Sequence, residues 1–176
     1  MSTLVIVIHP DIENSAINKR WIAALNKYPE KFYVHQLHKV YPDEKIDVSA
    51  EQKLIEAYDK IVFPFPFYWF NCPPFFKKWL DEVLTYGWAY GSQSGYKVSN
   101  KKIALAISVG IDENEYGQAG KYNYSLAQLT APFELTFEYI KADYRSFFAY
   151  YGIELNASEE WIERSVPKYL DFLNAL

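Results

Sequence analysis

The sequence predicts an α/β fold: a five-stranded, parallel, doubly wound sheet flanked by helices. Two observations predict it. Five short runs rich in β-branched and aromatic residues recur along the 176 residues, and segments with apolar residues at helical spacing lie between them. No repeat, linker or low-complexity segment interrupts that alternation, so a single domain spanning 1–176 is expected.

Thr3 to Ile8 is a continuous aliphatic run, as expected of a strand buried on both faces. A polar loop from His9 to Asn14 follows. Ser15 is the expected N-cap of a helix carrying Ile17, Trp21, Ala24, Leu25 and Tyr28 on one side. Lys31 to Gln36 alternates weakly and suits a strand nearer the edge. Ser49-Ala-Glu-Gln52 has the spacing of a capping box ahead of Leu54, Ile55 and Tyr58. Lys60 to Phe65 is a third strand that stops at Pro66, and Pro73-Pro74 opens a helix bearing Phe75, Phe76, Trp79, Leu80 and Val83.

After a Gly- and Tyr-containing excursion from Tyr86 to Asn100, Lys102 to Ser108 is the fourth strand. The helix that follows has two possible caps, Ser125 and Thr130, with Pro132 placed in a first turn by the second, and it runs to about Ile140. Asp143 to Phe148 is the fifth strand, and Ser158 caps the last helix.

Composition narrows the partners. The net charge is −4 and the 18 basic residues are scattered, which excludes the clustered positive field of a nucleic-acid binder. The lone Cys72 forms no internal disulfide, and the apolar run at the N-terminus is far too short to span a membrane, so a reducing, cytoplasmic location is expected. No metal site is expected: His35 and His38 lack a third ligand and are expected at the surface or a strand end, and Asp112-Glu113 with Glu115 reads as a solvated loop. Cys72 precedes a helix but has no histidine partner nearby.

In a doubly wound sheet the ligand lies beyond the carboxyl ends of the strands, which selects three loops. The first, His9 to Asn18, enters a helix whose leading N–H groups favour an anion, with Ser15 and Asn18 able to add hydrogen bonds. It lacks both a Gly-x-Gly-x-x-Gly fingerprint and a P-loop, and a capped helix after a strand is more often plain structure. The second, Phe63 to Pro74, sets aromatic residues among prolines, as a flat heterocycle or a packed interface would require. The third contains Gly110, Tyr116 and Tyr122; its phenols could protonate a carbonyl, though most of the 16 tyrosines must be structural.

These residues resemble a known family, the flavodoxin-like NAD(P)H:quinone oxidoreductases, and especially its short bacterial branch, which includes ancillary oxidoreductases of glutathione-gated potassium-efflux systems. The resemblance is carried by His9-Pro10 with Ser15 and Asn18, by Tyr41-Pro-Asp43 with Ile46-Asp47 and Ala50-Glu-Gln52, by Phe67-Tyr-Trp-Phe70, Pro73-Pro74, Lys78-Trp-Leu-Asp81 and Tyr86-Gly-Trp-Ala-Tyr-Gly91, and by Pro132-Phe133-Glu134. It implies a flavodoxin-like fold, FMN (or FAD) as cofactor, NADPH or NADH as electron donor, a quinone-like acceptor, and two-electron hydride transfer via flavin N5. A homodimer with the active site at its interface is implied, as is peripheral association with a membrane potassium-efflux protein; a flavodoxin-like electron carrier is the alternative to an enzyme. Carried over, His9, Ser15, Ile17 and Asn18 would hold the flavin phosphate, and Pro66, Phe67, Trp69 and Phe70 would line the ring. Ser108, Val109 and Gly110 would support its pyrimidine edge, with Tyr116 and Tyr122 as the catalytic phenols. Ser108-Val109-Gly110-Ile111 stands where the family often has Thr-Thr-Gly-Gly, and Tyr122 stands where some members have a histidine.

Overall fold

The computed structural model describes residues 2–176. Five parallel strands, β1 (Thr3–Val7), β2 (Phe32–Gln36), β3 (Lys60–Pro66), β4 (Lys102–Ser108) and β5 (Asp143–Tyr150), lie in the order β2-β1-β3-β4-β5. The expected doubly wound sheet is thus present, with the weakly alternating β2 at an edge. Alternation along the strands separates two cores. Leu4, Ile6, Phe63, Phe65, Leu105 and Ile107 face one side, where α3 (Val48–Glu56), α4 (Pro74–Val83) and α5 (Leu126–Tyr139) pack. Val5, Val7, Val62, Ala104 and Ala106 face the other, against α1 (Ile17–Leu25) and α7 (Glu159–Ala175). Two four-residue helices, α2 (Leu37–Val40) and α6 (Ile153–Asn156), add to the predicted set.

β3 is central, yet it contains two prolines, which are normally kept to sheet edges. The Pro64 carbonyl accepts the Ile8 N–H at 2.9 Å, so that side of the residue faces β1. The N–H that Pro64 lacks, and that of Pro66 two residues on, would have faced β1 as well. Accordingly the β1·β3 ladder ends at Val5↔Val62, whereas β3·β4 continues to Pro66↔Ser108. At the point where the strand order reverses, β1 and β3 stay joined by the single Ile8–Pro64 hydrogen bond.

Several local features differ from expectation for identifiable reasons. α3 starts at Val48, with Asp47 as its cap: the Asp47 carboxylate accepts the Ala50 N–H at 2.9 Å, which leaves Ser49 inside the first turn. α1 ends at Leu25, before Tyr28. Of the two possible caps of α5, Ser125 is used, in a complete capping box with Gln128. Pro132 therefore lies inside the helix, and the carbonyl it deprives of a partner belongs to the exposed Gln128, where water can serve it. β5 runs two residues beyond Phe148 and carries a bulge, with Ser146 at φ 70°.

His35 is not at the surface. It is buried at the end of β2, 2.8 Å from a carboxylate oxygen of Glu51, itself only 1% exposed. Tyr41 donates to the same oxygen at 2.9 Å, and the Trp79 indole donates to the other at 2.8 Å. An ionised carboxylate only accepts, so the His35 Nε2 carries the proton. Burial alone would raise the pKa of Glu51, but hydrogen bonds from His35, Trp79 and Tyr41, with the charge of His35, hold it below the ordinary 4.5. The network pins β2, α3 and α4 together, and Gln52 adds hydrogen bonds to the Val83 carbonyl and the Thr85 hydroxyl. The Ala-Glu-Gln motif is thus a structural staple beneath α4.

Glu51→Ala would leave three buried donors without an acceptor and is expected to cost about 3 kcal/mol of unfolding free energy in urea. Because the folded pKa is depressed, the contribution of Glu51 is fully present above about pH 4.5 and lost as the pH falls below it. An acid-unfolding profile that is the same for wild type and variant would contradict this role.

Candidate functional site

Two cavities meet at the carboxyl edge of the sheet. The smaller, of ≈ 290 Å³, lies over the start of α1 and is lined by His9, Asn14, Ser15, Ala16, Ile17, Pro66 and Ser108, among others. The larger, of ≈ 520 Å³, is lined by Trp69, Phe70, Ile111, Tyr116 and Tyr122. Phe67, Tyr68, Gly110 and Glu154 line both, so they form the junction. A groove of ≈ 400 Å³ between α4 and α5 holds neither the predicted histidine nor the predicted phenols.

The α1 end presents open hydrogen-bond donors. The Ser15 hydroxyl accepts the Asn18 N–H at 3.1 Å, and the amides of Ala16 and Ile17 find no main-chain acceptor among the described residues. Ser15 therefore does the capping expected of it, one residue before the formal cap, Ala16. The His9 Nδ1 accepts the Asp11 N–H at 3.2 Å, so its proton resides on Nε2. Burial lowers the His9 pKa, against the pull of Asp11, and leaves a neutral donor. Asn18 lies just beneath, 2% exposed: its amide nitrogen is 2.7 Å from the Ser108 hydroxyl, while its amide oxygen is buried without a partner among the described residues. Turning the amide over lets Ser108 donate to the oxygen and leaves the NH2 group free to donate to an anion. A buried amide with one spare position beside an open helix start fits a phosphate group.

The aromatic end is held by strain. Trp69 and Phe70 follow one another at φ 50° and 60°, the left-handed region that bulky residues rarely adopt. The Asn71 N–H donates to the Tyr68 carbonyl at 2.9 Å and closes the turn, and Pro73-Pro74 starts α4 directly behind it. The Trp69 side chain is consequently 94% exposed. Phe70 meets Tyr122 edge to face with ring centroids 5.0 Å apart, and Tyr122 lies tilted against Tyr116 at 5.7 Å, giving an aromatic wall. Burial, with Tyr122 and Glu154 nearby, pushes the Tyr116 phenol up to about 12, so it remains a proton donor at neutral pH.

Most of the predicted site residues line the two cavities, and two do not. Asn18 acts from below through Ser108. Val109 is buried, with its N–H spent on the Tyr150 carbonyl and its carbonyl on Ile153. The free amides at this edge belong instead to Gly110 and Ile111. Burial pushes the Cys72 thiol up to about 11, which makes it a poor nucleophile. Asn14, Ala16, Tyr68, Ile111, Ile153 and Glu154 line the cavities without having been singled out. Glu154 was findable: it follows the fifth strand, whose carboxyl end opens on the same crevice as the others.

Comparison with known proteins places this geometry in context. A family described as having a flavodoxin-like fold matches residues 1–173. A Bacillus subtilis protein named uncharacterized NAD(P)H oxidoreductase YrkL is 43% identical over 175 residues, 99% of each chain. The crystal structure of general stress protein 14 from Treponema denticola, in complex with FMN, superposes with a TM-score of 0.93 at 48% identity over 99% of each chain. The glutathione-regulated potassium-efflux system ancillary protein KefG of Cronobacter sakazakii is 37% identical over 133 residues, 76% of this chain and 71% of that one.

Removing the cap at the anion end has a measurable cost. Ser15→Ala is expected to lower unfolding free energy by about 1 kcal/mol, and an unchanged urea midpoint would show that the hydroxyl does not cap α1.

Proposed function

The chain belongs to the family of flavodoxin-like fold, and from that premise we propose that it is an FMN-dependent oxidoreductase that passes two electrons from NAD(P)H to a quinone-type acceptor. One observation carries the proposal: an anion-binding helix start and an aromatic slot meet over Gly110, matching a ligand that is phosphate at one end and a flat ring at the other. The 43% identical NAD(P)H oxidoreductase and the FMN complex of the 48% identical protein support the donor and the cofactor.

A bound flavin supplies reversible two-electron redox chemistry, and this chain supplies the rest. The Ala16 and Ile17 amides and the His9 Nε2–H hold the phosphate without a formal positive charge, through the helix dipole and neutral donors, with Asn18 positioning Ser108 from below. Phe67, Trp69 and Phe70 offer faces to the ring, and the Gly110 and Ile111 amides face its polar edge. Tyr116 keeps its proton at neutral pH and can donate a hydrogen bond to an acceptor carbonyl above the slot. The apolar walls exclude water and favour a flat, uncharged acceptor, as a quinone is.

The chain's exposed apolar side chains support a homodimer. Trp69, Tyr86, Leu135 and Tyr139 are 94%, 63%, 64% and 69% exposed. Covering them with a second copy would bury the strained aromatic turn and close the slot from outside. The likeness to the Cronobacter ancillary protein favours one further partner, a membrane potassium-efflux protein bound at its periphery.

Purified protein is expected to be yellow or to bind added FMN, and anaerobic NADPH or NADH should bleach it in one two-electron step. Protein that holds FMN yet never bleaches with either nucleotide would be an electron carrier and not this enzyme. For the efflux partner, co-purification with the transporter of the same genome is the measurement, and no association in either redox state would remove that partner.

A further inference from the structure

Glu154 is the one side chain with a formal charge at neutral pH that lines either cavity among the described residues, because no lysine, arginine or aspartate does and His9 is held neutral by burial. It is exposed, and it has no ion-pair or side-chain hydrogen-bond partner among the described residues. Its place is set by the main chain. The Glu154 N–H donates to the Gly110 carbonyl at 3.0 Å, the Ile153 N–H donates to the Val109 carbonyl at 3.2 Å, and the Gly152 N–H donates to the Ile111 carbonyl at 3.0 Å. Gly152 begins α6 at φ 86°, a left-handed conformation that suits glycine. The turn after β5 is thus stitched to the loop after β4, and it lays the Glu154 carboxylate over Gly110. A Cβ at residue 110 would come within 2.5 Å of that carboxylate, and the Glu154 side chain would have to swing aside to admit it.

We propose that Glu154 is an electrostatic determinant of the bound flavin's reduction potential, a fixed negative charge at the polar edge of the ring that disfavours the reduced form. The inference rests on the FMN reading given above. Transfer of hydride from NAD(P)H to FMN moves one hydrogen nucleus and two electrons, leaving NAD(P)+ and a reduced ring with one net negative charge. That charge develops on the pyrimidine edge, which the Gly110 and Ile111 amides face. A carboxylate over Gly110 repels it, and the repulsion strengthens as the bound ring displaces water from the junction. Oxidised FMN, whose ring is neutral, is affected less. Reduced flavin is left a stronger donor toward a quinone, and the potential is lowered without any change in the aromatic contacts.

Two substitutions separate charge from shape. Glu154→Gln keeps the size and removes the charge; Glu154→Asp keeps the charge on a shorter stem. The measurements are the dissociation constant for oxidised FMN, from fluorescence quenching, and the two-electron midpoint potential, from anaerobic reduction against a reference dye. In Glu154→Gln the affinity for reduced relative to oxidised FMN is expected to rise about fivefold, an upward shift of about 20 mV for a two-electron couple. Glu154→Asp is expected to stay close to wild type in potential. A potential unchanged in Glu154→Gln, or shifted equally in both variants, overturns the proposal while the FMN reading stands. Wild-type protein that binds no FMN overturns the functional reading first and this inference with it.

Discussion

In a parallel sheet a strand offers its N–H groups alternately to its two neighbours, and β3 withholds two of them from β1 because Pro64 and Pro66 have none. The rest of the molecule is arranged around that omission. The ladder between β3 and β4 runs to its end, while toward β1 only the Pro64 carbonyl still accepts, from the Ile8 N–H. This thinned pairing lies between the loop that enters α1 and the loop that enters α4. One of those loops presents open amides, the other a strained pair of aromatic residues. A cavity with a polar end and a flat end follows from the backbone before any ligand is considered.

Stability is drawn from elsewhere in the fold, which leaves the crevice free to carry strain. Beneath α4 the Glu51 carboxylate collects three donors from β2, the segment after α2, and α4 itself. The stacked Phe63, Phe76, Phe133 and Phe137 fill the same face of the sheet. These contacts fix the start of α4 and thereby the exit of the Trp69-Phe70 turn, where two consecutive left-handed residues cost about 1–3 kcal/mol each. The rigid side of the sheet holds the aromatic loop in a shape it would not keep alone.

The strands and most helices were legible because their signals are local: aliphatic runs, capping residues, and Pro73-Pro74 at a helix start. The site was legible where a loop directly follows a strand, as for His9, Phe67 and Gly110. What stayed hidden depends on contacts far apart in sequence. Nothing near His35 announces that Glu51 will bury it, and Asp47 outcompetes Ser49 as a cap by only two residues. Val109 fell outside the cavities because Tyr150 and Ile153, on the next strand and its turn, claim its main-chain groups. Glu154 lies in the turn after β5, and its place over Gly110 depends on main-chain hydrogen bonds to the loop after β4, some forty residues earlier in the chain.

The central claim is that the crevice between β1 and β3 holds a phosphorylated flat ring, with its phosphate on α1 and its ring against the aromatic turn. Amide chemical-shift mapping of isotope-labelled protein during titration with FMN tests it directly. The largest changes are expected at Ala16, Ile17, Gly110 and Ile111, together with the Trp69 indole N–H. Changes confined to the groove between α4 and α5, around Leu80 and Thr136, would contradict it.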